Sequence, residues 1–233
     1  MKRQNGFTLV ELLITMAVTV LLLVAVYGAV NSIQRSSAGL ERKVAAQIDI
    51  KPALDLMALE ISMASFNPTF TSNLWVSPEN CTSTSANQAY KGIQEATANS
   101  ITVEMDIQGP SGGNPDGALG DENEVIRYSY DAANQYITRA TNCGSPQPFL
   151  GAQIGATRAV RVINGTLNLS VFRYFDGSGT EITASSLPSA IPNIRRILIT
   201  LAVETEEIDP ATGQRRRLIY STSVIPRNHA IAY

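Results

Sequence analysis

A long apolar run near the N-terminus dominates the hydropathy pattern of this chain. From Phe7 to Val30 there is no Lys, Arg or Asp, and Glu11 is the only charged residue. As a helix that rises about 1.5 Å per residue, this run would extend roughly 36 Å, which is enough to cross a bilayer core of about 30 Å. The pattern therefore predicts a membrane-spanning helix over residues 7–30.

The residues before this run indicate that it stays in the mature protein, and they predict its orientation. A cleaved secretory signal has a shorter apolar region with small residues after it, whereas here the polar boundary precedes the run. Lys2 and Arg3 lie just before the span. Basic residues remain cytoplasmic, so we expect the rest of the chain to be exported.

Helical periodicity continues beyond the predicted span. Apolar residues recur close to helical spacing at Leu40, Val44, Ile48, Leu54, Met57 and Ile61. Pro52 should kink or break this helix, and Asn67-Pro68 should end it. We therefore predict a helical extension over residues 31–66 with a kink near Pro52. A separate helix after an ordinary anchor is the alternative.

The remainder, residues 67–233, carries strand signals and is predicted to be a β-rich globular domain. Residues 67–100 are rich in Asn, Ser, Thr and Pro, which indicates an irregular connection. Alternation predicts strands at 101–107, 125–130, 135–140, 167–175, 194–203 and 218–224. The last two should pair antiparallel across the turn at residues 209–213. The predicted fold class is α+β, a long N-terminal helix packed on an antiparallel β-sheet.

Two cysteines, Cys81 and Cys143, both fall in the part predicted to be exported. In an oxidising compartment we expect a disulfide between them. It would close a loop of about 60 residues and add roughly 4 kcal/mol of stability on the chain-entropy view. Two free, buried thiols are the alternative. A metal site is not expected at the cysteines, because no His or third Cys lies nearby.

An acidic loop over residues 114–124 is the candidate for a metal site. Its carboxylates, which belong to Asp116, Asp121, Glu122 and Glu124, are of the type that Ca²⁺ accepts as ligands. Their spacing does not match an EF-hand. We therefore favour a solvated loop between two strands and predict no metal, with calcium as the weaker alternative.

The sequence gives little support for catalysis or for nucleic-acid binding. The single histidine, His229, lies near the C-terminus, where a mobile side chain is a poor general base, and no nucleotide-binding, zinc-protease or serine-hydrolase motif occurs. The net charge is −2. Arg195-Arg196 and Arg215–Arg217 should lie at opposite ends of the last strand pair, which favours edge protection over contact with DNA. We predict a protein without enzymatic activity or a cofactor.

Glu11 is the anomaly of the apolar run, because a carboxylate in hydrocarbon is costly unless it is paired or neutralised. A position at the membrane interface is one interpretation, and a dedicated amine partner is the other. The segment Gly6-Phe7-Thr8-Leu9-Val10-Glu11-Leu12-Leu13 resembles the signal of type IV pilins and type II secretion pseudopilins. The resemblance implies that a prepilin peptidase cleaves between Gly6 and Phe7 and methylates Phe7. It also implies that Glu11 pairs with an N-terminal amine during assembly.

The resemblance further implies a location and a set of partners. Residues 1–6 would be a leader peptide, and the helix would anchor the chain in the inner membrane with its domain in the periplasm. After processing, the subunit would enter a pilus or pseudopilus at the bacterial surface. The implied partners are the prepilin peptidase, other minor and major pilin subunits, and the inner-membrane assembly platform.

The length of the exported part and its strand-rich half are most similar to PilW-type minor pilins, as is the closing segment Val224–Asn228. J-type minor pseudopilins are close relatives of that group. The expected function is a minor pilin that primes or caps type IV pilus assembly. The alternatives are a minor pseudopilin of a type II secretion system and a filament-tip subunit that binds DNA or a surface.

Overall fold

A single helix of 54 residues, α1 (Leu9–Ser62), forms the N-terminal part of the molecule. The computed structural model describes residues 8–151, 160–210 and 212–231. Pro52 lies inside α1 and does not end it. A proline removes one backbone hydrogen bond, but Ile50, Ala53 and Leu54 around it are all buried, and their packing keeps both sides of the helix in place. The predicted break does not occur, and the kink stays a prediction.

The first sheet is an antiparallel meander of five strands that pair in chain order. They are β1 (Ile93–Ala96), β2 (Ser100–Glu104), β3 (Val125–Asp131), β4 (Tyr136–Thr141) and β5 (Gln147–Leu150). The predicted hairpin of β3 and β4 is confirmed, with Tyr128 opposite Arg139. The segments that contain β1 and β5 were expected to be irregular, because four residues are too few to show alternation.

The second sheet has the order β10-β9-β7-β8, and β6 also pairs with β9. Its strands are β6 (Val160–Val162), β7 (Phe172–Phe175), β8 (Glu181–Ile182), β9 (Arg196–Ile208) and β10 (Arg215–Val224), and a short helix, α2 (Leu187–Ala190), precedes β9. The predicted antiparallel pairing of the last two strands is confirmed, with Leu201 opposite Tyr220.

The core lies where α1 meets the inner faces of both sheets. The helix contributes Ile50, Leu54, Met57 and Ile61, the first sheet contributes Ile101, Val103, Ile126 and Ile137, and the second contributes Ile197, Ile199, Leu201 and Val203. The predicted α+β layout is confirmed, with two antiparallel sheets in place of one. Each sheet needs a cover for its apolar face, and the helix and the opposite sheet provide it.

The tip of the β9–β10 hairpin contacts α1 at a second place, nearer to the apolar N-terminal part of the helix. Gly39 is buried against the hairpin, and a Cβ built there would lie 2.9 Å from Asp209 Oδ1, so a side chain would clash. One turn further, Arg42 forms an ion pair with Glu207 at 2.8 Å. Asp209 in turn accepts a hydrogen bond from Arg216 Nε at 2.6 Å.

A polar network fastens the other end of α1 to the first sheet. Glu60 is only 6% exposed. Its carboxylate accepts hydrogen bonds from Arg139 Nη2 at 2.6 Å and Nε at 3.2 Å, and a third from the Tyr128 hydroxyl. Burial, followed by the charge of Glu60, raises the pKa of Tyr128. The partly buried Arg139 cation therefore balances the charge of the buried Glu60 carboxylate.

Removal of the Glu60 carboxylate should make the domain less stable to denaturant. We expect Glu60→Ala to lower the free energy of unfolding by about 3 kcal/mol, because it leaves the partly buried Arg139 charge and the buried Tyr128 hydroxyl without their common partner. Denaturant unfolding of the full-length protein in detergent, followed by tryptophan fluorescence, measures the change. The matched control is Glu41→Ala on the exposed side of the same helix, with an expected change within about 0.5 kcal/mol. Equal midpoints for the two variants would contradict the assignment.

Candidate functional site

The start of α1 is closed by a reciprocal pair of hydrogen bonds between Thr8 and Glu11. Thr8 is the N-cap residue, and its Oγ1 accepts the Glu11 N–H at 3.3 Å. In return, the Thr8 N–H donates to Glu11 Oε2 at 2.9 Å. This arrangement is a capping box, which satisfies two backbone donors that a helix start otherwise leaves open. The predicted cleavage and methylation residues, Gly6 and Phe7, lie outside the described residues.

The capping box fixes where the Glu11 carboxylate points. Oε2 accepts a second hydrogen bond, from the Thr8 hydroxyl at 3.0 Å, so the carboxylate turns back toward the N-terminus of the helix. Among the residues that the structure describes, Oε1 has no hydrogen-bond partner. The site therefore presents an ordered anion with one oxygen available, and the natural ligand for such an oxygen is a cation such as an ammonium group.

The helix that carries Glu11 is long and apolar enough to cross a membrane, by its length and composition, and none of this apolar part is buried against the rest of the molecule. The hydroxyls inside it are satisfied within the helix. Thr15 donates to the Glu11 and Leu12 carbonyls, and Thr19 donates to the Thr15 carbonyl at 2.7 Å. These local bonds remove the main penalty for hydroxyls in an apolar environment. The segment thus suits membrane anchoring, with Glu11 as its one exceptional group.

A disulfide joins Cys81 to Cys143, whose Cα atoms are 5.8 Å apart. Cys81 lies in the loop before β1, and Cys143 follows β4. The bridge therefore holds this loop against the first sheet. No cysteine in the described ranges is free.

Glu104, at the end of β2, is fully buried and was not singled out by its sequence. Its Oε2 accepts the N–H of Val76 at 3.0 Å, and its Oε1 is buried without a hydrogen-bond partner in the described structure. Burial raises the pKa of this carboxyl to about 8. Alternation along β2 indicates a polar face at this position, but the loop that contains Val76 covers that face.

The acidic loop is organised by backbone amides. Glu124 is buried, and its two oxygens accept N–H groups from Ile107, Gln108, Gly120 and Asp121 at 3.0–3.3 Å. Asp116 and Glu122 are exposed. Within the described ranges, no three His, Cys, Asp or Glu side chains lie together as a metal site. Glu124 therefore holds the loop together through its amide contacts, and the calcium alternative for Asp116, Asp121, Glu122 and Glu124 stays a prediction.

His229 is buried, so the prediction of a mobile side chain is wrong. Its Nε2 lies 2.8 Å from the Ile191 carbonyl, which can only accept, so Nε2 carries the proton. Nδ1 then accepts the hydroxyl of Ser65 at 2.8 Å. Burial lowers the pKa of this histidine to about 4. The pair fastens the C-terminal segment to the end of α1. No sequence pattern predicts this contact, because Ser65 and Ile191 are both distant from His229 in the chain.

The arginines at the two ends of the β9–β10 pair have intramolecular contacts. Arg216 and Arg217 each lie within 3 Å of a carboxylate, on Asp209 and Glu204 respectively. At the far end of the pair, as predicted, the Arg196 guanidinium stacks 3.8 Å above the Phe175 ring. The ion pairs offset the basic charge at the Arg215–Arg217 end of the strand pair.

The N-terminal sequence matches the prokaryotic N-terminal methylation motif over residues 1–27. The match includes Gly6, Phe7 and Glu11, and it ends within α1. It supports a type IV pilin-like or pseudopilin-like precursor with a prepilin-type signal, which favours a structural subunit over an enzyme. No curated protein and no solved structure matches the chain significantly.

The buried Glu104 should make folding stability depend on pH. The folded carboxyl keeps its proton up to about pH 8, whereas the unfolded carboxyl loses it near pH 4.5. The contribution of Glu104 to the free energy of unfolding is therefore fully present below about pH 4.5. It falls as the pH rises to about 8, by up to about 1.4 kcal/mol per pH unit. Glu104→Gln should remove this slope. Urea unfolding of both proteins from pH 5 to 8.5 measures the difference, to which His229 does not contribute because both proteins contain it.

The control for this measurement is Glu122→Gln, which changes an exposed glutamate of the acidic loop. It should keep the slope of the parent protein. Parallel profiles for the parent and Glu104→Gln would show that Glu104 is already ionised in the folded state at neutral pH.

Proposed function

We propose that this chain is a minor pilin, a non-enzymatic subunit that primes or caps a type IV pilus. The observation that carries the proposal is the ordered Glu11 carboxylate at the start of an apolar helix that the domain leaves uncovered. The N-terminal methylation motif supports it independently. A carboxylate in this environment gains stability only when a cation reaches it, and assembly of pilin-type helices supplies one.

Processing creates that cation. Prepilin peptidase removes residues 1–6 by cleavage between Gly6 and Phe7, and Phe7 then carries a methylated amine. The cut leaves the Thr8 amide and hydroxyl in place, so the capping box survives in the mature chain. Glu11 is already held with one oxygen open, and binding an amine there requires little further ordering.

The amine that meets Glu11 comes from a neighbouring subunit. A parallel helix displaced by four residues, about 6 Å along the axis, brings its Phe7 level with Glu11. Both charges then leave the lipid environment as an ion pair. Since burial of either charge alone is strongly unfavourable, helices in this register are favoured over helices with no offset or a larger one.

The rest of the chain fits this role in four parts. Residues 1–6 are the leader, 7–30 the membrane helix, 31–66 its extension and 67–233 a periplasmic domain. A disulfide is typical of an oxidising compartment, and the bridge between Cys81 and Cys143 agrees with the periplasm. Before assembly the protein waits in the inner membrane, where it meets the assembly platform and the other minor and major pilins.

The large domain supports a minor subunit of the PilW type over a major one. It carries two sheets and long loops that would crowd a filament built from this chain alone. The paired arginines disfavour a DNA-binding tip subunit. A minor pseudopilin of the J type carries the same N-terminal signal. The presence of the mature chain in a pilus or in a secretion pseudopilus distinguishes the two candidates.

Mass spectrometry of the membrane-bound mature protein should find N-methyl-phenylalanine, from Phe7, at its start. Gly6→Val should block the cut, because a side chain at the cleavage site obstructs the peptidase, while Asn5→Ala should be processed normally. A mature protein that still begins at Met1 would contradict the processing step.

Glu11→Ala should lower incorporation into sheared filaments by about tenfold, the effect of losing roughly 1.4 kcal/mol from one contact. The domain should unfold at the same denaturant concentration, because Glu11 touches nothing outside its own helix among the described residues. Asp49→Ala is the matched control, since it removes an exposed carboxylate from the same helix. Quantitative immunoblots of filament and membrane fractions measure the ratio. Equal incorporation of both variants would overturn the role of Glu11.

A further inference from the structure

The second sheet ends in a long outer strand. β10 has 10 residues, whereas the other outer strands of the two sheets, β1, β5 and β8, have 4, 4 and 2. Within the described residues, β10 pairs with β9 alone. An outer strand carries one row of backbone N–H and C=O groups that its own sheet does not use. Such a row is a template for a further strand.

The register shows which backbone groups of β10 form this row. Thr200 of β9 turns its backbone away from β10, since its N–H donates to the Val171 carbonyl at 2.8 Å. Ala202 does the same, since its N–H donates to Asn164 Oδ1 at 2.8 Å. Backbone groups alternate between the two sides of a strand, so Leu201, between these two residues, faces β10. The outward groups of β10 therefore belong to Ile219, Ser221 and Ser223, which lie opposite Ala202, Thr200 and Leu198.

Residues 219–223, which we call the open edge, lack the devices that normally block a sheet edge. The hairpin end of β10 is charged and irregular, with a register shift between Arg215 and Arg217. From residue 218 to 224 the pairing with β9 is regular. The exposed side chains of the open edge are uncharged and belong to Ile219, Ser221 and Ser223. Within the described structure, no hydrogen bond involves their outward backbone groups. Since bulges, charges and prolines protect edges, the open edge is suited to pairing with another strand.

The open edge leads into a groove of about 780 Å³ between β10 and the end of α1, and Ser223 is part of the groove lining. The apolar lining consists of Leu59, Met63, Phe66, Ile107 and Ile225. Asp55 and Arg227 also line the groove, and both are exposed. Neither forms a salt bridge within the described residues. A strand added to the open edge runs beside this groove, where a large apolar side chain is covered.

The charges at the two ends of the open edge disfavour a second copy of this chain as the added strand. Antiparallel pairing of two open edges places the Arg217 end of each strand beside the Arg227 end of the other. Parallel pairing places each arginine beside its own counterpart. Like charges in such positions are unfavourable. Arg217 already pairs with Glu204 at 2.9 Å, so Arg227 is the cation that remains for a carboxylate of a different partner.

We propose that the open edge binds an extended segment of a different protein, which adds a strand to the second sheet. The segment carries apolar side chains that enter the groove and a carboxylate that meets Arg227. In strand addition the backbone hydrogen bonds provide affinity and the side-chain pockets provide selectivity. The proposal concerns the domain alone and does not depend on the proposed function.

Synthetic peptides test the strand pairing, with full-length protein in detergent and fluorescence anisotropy as the measurement. The probe is a labelled peptide of alternating Leu and Thr with Glu at both ends and blocked termini. Two further versions carry N-methyl groups on one or the other alternate set of amides. Only one set faces β10 in a strand pair, so one version should lose binding and the other should keep it. Equal binding of the two versions would contradict strand addition.

Ser221→Pro tests the protein side of the same contact. It removes an outward N–H and no hydrogen bond to β9, and edge strands tolerate proline. The affinity for the peptide should fall about tenfold, the effect of losing one or two hydrogen bonds. Ser221→Ala is the matched control, because it keeps the N–H and should bind as the parent does. Denaturant unfolding checks that both variants fold. Equal affinities for the two folded variants would overturn the proposal.

Charge reversal tests the selectivity. Arg227→Glu should weaken binding of the Glu-ended peptide by about two- to fivefold and strengthen binding of a Lys-ended peptide. Arg35→Glu makes the same charge change at an exposed position far from the groove and should alter neither affinity. The same preference in the parent and Arg227→Glu would rule out the carboxylate contact. Protein dimers that Ser221→Pro abolishes would assign the open edge to a second copy and overturn the proposal.

Discussion

The architecture depends on the burial of one face of α1 by two sheets at once. Ile50, Met57 and Ile61 of the helix belong to one buried cluster with Ile101 and Ile126 of the first sheet and Leu201 of the second. Polar contacts at the two ends of the interface between α1 and the sheets hold the helix in one position. Glu60 and Arg139 fasten the far end, and Arg42 and Glu207 fasten the end nearer the membrane. The free part of α1 therefore projects from a fixed base.

The polar groups of the molecule fall into two classes with different consequences. Glu124 has four amide donors and Glu60 has an arginine and a tyrosine, so their burial is compensated. Glu11 has only the Thr8 donors and one open oxygen. In water that oxygen is solvated, whereas in lipid it is exposed to a strong desolvation penalty. The same hydrogen bonds that order Glu11 thus leave it dependent on a partner.

The sequence predicts elements whose burial is set by their own pattern. The apolar run from Phe7 to Val30 and the alternation along β9 and β10 each identify one element and its buried face. Periodicity along one strand does not say what covers its other face. Glu104 lies on a polar face that a loop seals, and His229 is enclosed by Ser65 and Ile191 from distant parts of the chain. The division of the strands into two sheets is not predicted for the same reason, since the short strands β6 and β8 are defined by their neighbours.

The distribution of paired and unpaired surface groups bears on how the molecule interacts. On the domain, Arg216 and Arg217 form ion pairs with carboxylates of the same β9–β10 hairpin, so a polyanion would have to displace existing ion pairs. On α1, Lys51 and Asp55 have no such partners in the described structure, and the apolar residues beside them are uncovered. Binding through the helix adds contacts without breaking any, whereas binding through the arginines exchanges one set for another. This difference supports the proposed assembly along the helix.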